Sequence, residues 1–193
     1  MPADSSELVR ILQPLLNDPV KSVRMEAANR LSTFTKKAFH EIQYPLFVKA
    51  LNEYKKSQEY VADFPSGRYN LGNYYSKLKD LAKAEENYRE SIVIDNLFYP
   101  SKVNLALIYY QQGKPDPAEK LFRNLVTNHP EVVEGYYYLA LLYGEQKKYT
   151  EAISLLETAS TKTGSNPRIY YNLGLLYQMT GQNEKCETTL AKG

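Results

Sequence analysis

The chain of 193 residues has no tryptophan, one cysteine, three methionines and two histidines. One cysteine excludes an intramolecular disulfide. His40 and His129 lie far apart, and no Cys-x-x-Cys, His-Glu-x-x-His or phosphate-cradling glycine loop occurs, so no metal, cofactor or catalytic constellation is expected. A net charge of +2 offers no electrostatic footprint for nucleic acid or an anionic membrane. No apolar run reaches the length of a membrane span, and the start carries no signal-peptide pattern. What is plentiful is tyrosine, at 18 residues.

Those tyrosines are periodic. The stretch Tyr170 to Tyr177 has counterparts at Arg68 to Tyr75, Lys102 to Tyr109 and Tyr136 to Tyr143, each 34 residues from the next. A fixed period of this size marks an array in which each unit buries its apolar face on its neighbours. Within each copy, positions i, i+3, i+4 and i+7 form one face of a helix, as in Tyr170, Leu173, Gly174 and Tyr177. Gly72, Ala106, Ala140 and Gly174 make a column of small residues that admits a second helix closely. That helix carries Ala84, Ala118, Ala152 and Cys186, followed four residues later by Tyr88, Phe122, Leu156 and Leu190. Cys186 thus reads as small packing, His129 as a surface turn residue before Pro130, and acids such as Glu85 and Glu86 as solvated faces. The expected helix pairs run about 65–79 with 81–95, 100–112 with 115–128, 131–146 with 149–162, and 167–180 with 183–191.

A 34-residue helical hairpin with this Leu-Gly, Tyr, Ala, Phe, Pro pattern resembles the tetratricopeptide repeat (TPR). The resemblance covers residues 65–193, about four units with the last cut short. Arg68 and Lys102 depart from it at an aromatic position. It implies an all-α fold, a right-handed superhelical solenoid, acting as a non-catalytic protein–protein interaction scaffold. Ahead of it, residues 1–37 read as a helical hairpin, with Ser5 or Ser6 as cap. Leu8, Ile11, Leu12, Leu15 and Leu16 line its first helix, and Val20, Val23, Ala27, Ala28 and Leu31 its second. The Asp18-Pro19-Val20…Val23-Arg24…Glu26-Ala27-Ala28 string is similar to a HEAT repeat. Residues 38–64 read as a linking helix bearing Phe39, Ile42, Phe47, Leu51, Tyr54 and Val61, begun or kinked at Pro45.

In the TPR family the first helices of successive units line a concave wall, and residues rotated off the core stripe face it. The resemblance therefore implies a partner-binding groove of Tyr69, Asn70, Asn73, Val103, Asn104, Leu107, Tyr110, Tyr137, Leu141, Arg168, Tyr171 and Leu175. Tyr69, Tyr110, Tyr137 and Tyr171 are expected to stand exposed there, since tyrosine suits an interface at low entropic cost. They otherwise read as packing on adjacent helices. The carboxylate clamp of chaperone-binding members is not reproduced. Asn73 and Asn104 match it, but Tyr69, Glu134 and Tyr138 stand where its cations belong.

The order of elements also resembles the C-terminal portion of bacterial multihaem cytochrome c proteins with HEAT-like and TPR segments. That reading implies a periplasmic docking module, with any Cys-x-x-Cys-His motifs outside these residues. The helical start and the uncapped last unit make a piece of a longer protein the expectation; a complete chain would be cytoplasmic. Self-association through the open end is the third reading.

Overall fold

The computed structural model describes residues 3–162 and 166–192, and every regular element among them is helical. The chain divides into two compact units at Phe98 and Tyr99.

In the first unit, α1 (Ala3–Leu12) tightens into a 3-10 segment, Gln13–Asn17, and is followed by α2 (Lys21–Leu31), α3 (Gln43–Tyr60), α4 (Pro65–Lys77) and α5 (Leu81–Ile94). The tightening corrects the expected stripe of the first helix. A 3-10 segment advances at three residues per turn, so Leu16 leaves the phase of Leu8 and Ile11. Val9 and Leu16 are buried, and Leu8, Ile11 and Val20 are exposed. The helix also starts at Ala3, which puts Ser5 and Ser6 inside it rather than at its cap. Pro45 falls in the first turn of α3, where a proline costs no hydrogen bond. Helix formation therefore begins at Gln43 and leaves Ile42 outside it and exposed, contrary to its expected packing role.

Phe39 precedes α3 but stacks on Phe47 with ring centres 4.5 Å apart. Val9, Leu16, Ala27, Ala28, Leu31, Ala50, Leu51 and Tyr74 complete this core. Arg24 ties the Asp18-Pro19 turn to α3: Nη1 donates to the Asp18 carbonyl at 2.7 Å, and Nη2 pairs with Glu53 Oε2 at 3.0 Å. In the α4–α5 hairpin, Gly72 must be glycine, because an added Cβ would sit 2.5 Å from Tyr88 Cε1.

The second unit stacks three hairpins: α6 (Tyr99–Gln111) with α7 (Pro115–Asn128), α8 (Val133–Glu145) with α9 (Tyr149–Lys162), and α10 (Pro167–Met179) with α11 (Asn183–Leu190). Ala106, Ala118, Ala140, Ala152, Phe122 and Leu156 are buried as their columns require. Leu190 packs on Gly174 yet remains 48% exposed, and Cys186 is half-buried. His129 differs from expectation. As the C-cap of α7 it is 8% exposed, because the helix end tucks it against the first turn of α6, its ring 5.4 Å from that of Tyr99.

Each repeat hairpin closes in the same way. Lys79, Gly113, Lys147 and Gly181, again 34 residues apart, adopt positive φ of 61–74°. The next residue's N–H then returns to the carbonyl of Tyr75, Tyr109, Tyr143 or Tyr177 at 2.8–2.9 Å. This left-handed closure satisfies carbonyls that a helix end leaves open.

Candidate functional site

The first helices of the second unit's hairpins, α6, α8 and α10, lie side by side. Val103, Leu107, Tyr110, Tyr137 and Leu141 are half-buried, and Arg168, Tyr171 and Leu175 are exposed. Two hydrogen bonds with one offset of 35 residues join these helices. The Tyr110 hydroxyl donates to Glu145 Oε1 at 2.5 Å, and Asn172 Nδ2 donates to the Tyr137 hydroxyl at 3.2 Å. Burial first, and the Glu145 carboxylate second, push the Tyr110 phenol well above its usual range.

Between them opens a cavity of about 270 Å³. Leu141 and Leu175, both expected groove residues, line it with Tyr110, Gly144, Glu145, Asn172, Leu176 and Met179. A neighbouring cavity of about 250 Å³ is more polar, with Tyr137, Tyr138, Glu134, Asn166 and Arg168 in its lining. A third, of about 410 Å³, lies on the α7–α9 side, where Arg123, Val126, Ser154 and Leu155 surround Leu139 and Tyr143.

The expected residues of the first unit are placed differently. Tyr69 is half-buried between Tyr88 and Phe98, ring centres at 6.1 and 5.6 Å. Asn70 Nδ2 donates to Gln58 Oε1 at 2.8 Å, and Asn73 Oδ1 accepts the Tyr88 hydroxyl at 2.7 Å. These amides tie α4 to α3 and to α5. Asn104, on α6, is half-buried and not free of a partner within the chain. Of the four tyrosines expected to stand open, Tyr171 does so, at 59% exposure; Tyr69, Tyr110 and Tyr137 are half-buried because their rings or hydroxyls engage neighbours.

Two sets of residues escaped the sequence reading. At the departing aromatic position, Arg68 pairs with Glu90 at 2.5 Å and Lys102 Nζ donates to Asn124 Oδ1 at 2.8 Å, each reaching a residue 22 positions on. Tyr143 and Tyr177 send their hydroxyls to acids on the preceding hairpin, Glu119 at 3.1 Å and Glu157 at 2.6 Å. Glu119 and Glu157 lie one helical turn out of register with each other, so the 34-residue period does not reveal them. Burial, then the bond to Glu157, pushes the Tyr177 phenol up to about 12. Arg123 and then the hydrogen-bonding Tyr143 and Gln146 hold the Glu119 carboxyl below its usual range. Among the described residues there is no group of three or more His, Cys, Asp or Glu able to hold a metal ion, and no helix long and apolar enough to cross a membrane.

Three family models, each for the tetratricopeptide repeat, match residues 65–96, 103–167 and 145–193. The chain is therefore a carrier of tetratricopeptide repeats, with the repeats where the 34-residue period puts them. Among solved structures it is similar to a crystal structure of MamA, at 20% identity and a TM-score of 0.65, over 74% of this chain and 84% of that one. MamA 41-end from Desulfovibrio magneticus RS-1 aligns over 100% and 94% of the two chains at 15% identity and a TM-score of 0.62. YrrB, described as a TPR protein with an unusual peptide-binding site, aligns over 91% and 86% at 18% identity and a TM-score of 0.60. At these identities the likeness is one of fold. No curated protein matches the sequence.

Proposed function

We propose that the protein is a non-catalytic scaffold that holds an extended segment of a partner protein along α6, α8 and α10. The observation that carries this reading is the 270 Å³ apolar cavity between α8 and α10, with convergent polar groups from Tyr110, Glu145 and Asn172 at its edge. A concave, mostly apolar pocket with a few placed polar groups is the usual form of a recognition site. The likeness to YrrB supports the same assignment by fold. The anchors are Leu141, Leu175 and Tyr171; Tyr110 and Tyr137 act chiefly through the hydrogen bonds that shape the face. In the first unit, Tyr69, Asn70 and Asn73 serve packing.

The helices of residues 3–60 we assign a structural role, because they join α4 to a shared core through Tyr74 and the Lys77 Nζ bond to Asn29 Oδ1 at 2.7 Å. The structure adds no observation to the cytochrome resemblance, which rests on two degenerate strings. The test is a photo-crosslinking amino acid placed at position 171 and, as control, at exposed position 120 on α7. Partner adducts are expected from 171 alone. Equal yields from both positions, or adducts only between copies of the chain, would overturn the assignment.

A further inference from the structure

Gly144 stands in the last turn of α8, where glycine weakens a helix relative to alanine. At Gly67, Gly72 and Gly174 an added Cβ would meet a neighbour at 2.1, 2.5 and 2.6 Å, so close approach of the packed elements demands glycine there. At Gly144 the nearest atom is Leu176 Cδ2 at 3.8 Å, an ordinary contact distance. The other units place Ser76, Tyr110 and Gln178 in the same register. Internal packing therefore gives no reason for glycine at 144. What the missing side chain does is keep the 270 Å³ cavity open beside Leu141 and Leu175.

The cavity's chemistry limits what enters it. Its volume lies just below the range of small-molecule pockets, about 300–1,000 Å³, and suits one bulky side chain. Among the described residues that line it, Glu145 alone is charged. A carboxylate can accept about four hydrogen bonds, and the Tyr110 hydroxyl supplies one, to Oε1. Glu145 is exposed, so its remaining capacity is available to an incoming donor. An acidic segment would meet like charge here, whereas a basic one would find a complementary partner.

We propose that the segment held by this face carries a bulky apolar residue beside a lysine or arginine. The apolar side chain fills the space left by Gly144, and the cation pairs with Glu145. The inference rests on the groove reading above and supplies the chemistry of the partner.

The test uses the full chain and fluorescein-labelled nonapeptides of glycine and serine with a central leucine flanked by two lysines, two glutamates or two serines. A fourth set has a central alanine. Fluorescence anisotropy is expected to show the lysine-flanked leucine peptide binding at least about fivefold tighter than the glutamate-flanked one. Glu145→Gln should reduce that preference to within about twofold. Gly144→Leu should weaken leucine peptides at least about tenfold with the melting temperature unchanged or raised. Should Gly144→Leu fail to fold, Met179→Gln on the exposed side of the cavity should give a loss of about threefold. Leucine peptides that bind without charge preference, or with one that survives Glu145→Gln, would overturn the basic partner and leave the groove standing. Leucine peptides binding no better than alanine peptides would overturn both.

Discussion

Lys102 is buried in the α6–α7 hairpin, 2% exposed, and its Nζ donates to Asn124 Oδ1 at 2.8 Å. A polar group taken out of water is stable only where its donors are met. Asn124→Leu removes that acceptor and should cost about 1–3 kcal/mol, the range for a hydrogen bond lost from a buried polar group. The double variant Lys102→Met/Asn124→Leu should recover most of the loss, because a well-packed apolar pair often replaces a buried polar one at little cost. Urea unfolding of both variants decides it. A double variant no more stable than the single one would show that Lys102 serves packing that methionine cannot reproduce.

The Tyr177–Glu157 bond predicts how stability changes in alkali. The Tyr177 phenol is raised from about 10 in the unfolded chain to about 12 in the folded one. Between those values the folded state holds a proton that the unfolded state has released, so stability falls as pH rises. Below pH 10 the contribution is complete; above 12 it is gone. Urea midpoints of the wild type should therefore drop more steeply from pH 10 to 12 than those of Tyr177→Phe. At pH 7 the variant should be less stable by about 0.5–1.5 kcal/mol, one lost hydrogen bond. Parallel curves for the two proteins would mean the hydroxyl is not held as described.

The repeats were legible because their period is a packing period. Small residues at 72, 106, 140 and 174 recur wherever two helices must touch, and the helix bounds fall within about two residues of those expected. What the period could not show is where side chains go once helices are stacked. Asn73 has the residue type of a groove asparagine, but Tyr88 reaches across the hairpin and occupies it. Tyr110 has the pattern of an open aromatic and is half-buried because its hydroxyl donates to Glu145, one hairpin on. Glycine 144 carried no signal at all, since its meaning lies in the absence of a neighbour rather than in a pattern. Ahead of the repeats no period constrained the reading, and a single 3-10 turn sufficed to move Leu8 and Ile11 off the core.

The left-handed turn residues offer a gain in stability. Gly113 and Gly181 adopt positive φ freely, whereas Lys79 and Lys147 do so against a clash of Cβ with backbone. Lys79→Gly and Lys147→Gly should each stabilise the protein by about 1 kcal/mol, and Gly113→Ala and Gly181→Ala should each cost about as much. Thermal melts of the four variants check this as a set. Lysine-to-glycine changes that lower the melting temperature would show that the lysine side chains contribute more than their backbone strain removes.

Two helical glycines should respond oppositely to the same substitution. At Gly72 a Cβ would overlap the Tyr88 ring, with Cε1 at 2.5 Å and Cδ1 at 2.6 Å. Tyr88 cannot simply swing aside, since it is 2% exposed and its hydroxyl is held by Asn73. Gly72→Ala should therefore cost about 1–3 kcal/mol through overpacking. At Gly144 the methyl meets Leu176 Cδ2 at 3.8 Å and gains contact without displacing anything. Gly144→Ala should be neutral or stabilising by up to about 1 kcal/mol, the gain in helix preference over glycine. Urea unfolding at pH 7 separates the cases by sign. Destabilisation by Gly144→Ala matching that at Gly72 would mean the glycine is a packing requirement after all, and would remove the ground for reading the cavity beside it as a place kept open for a partner.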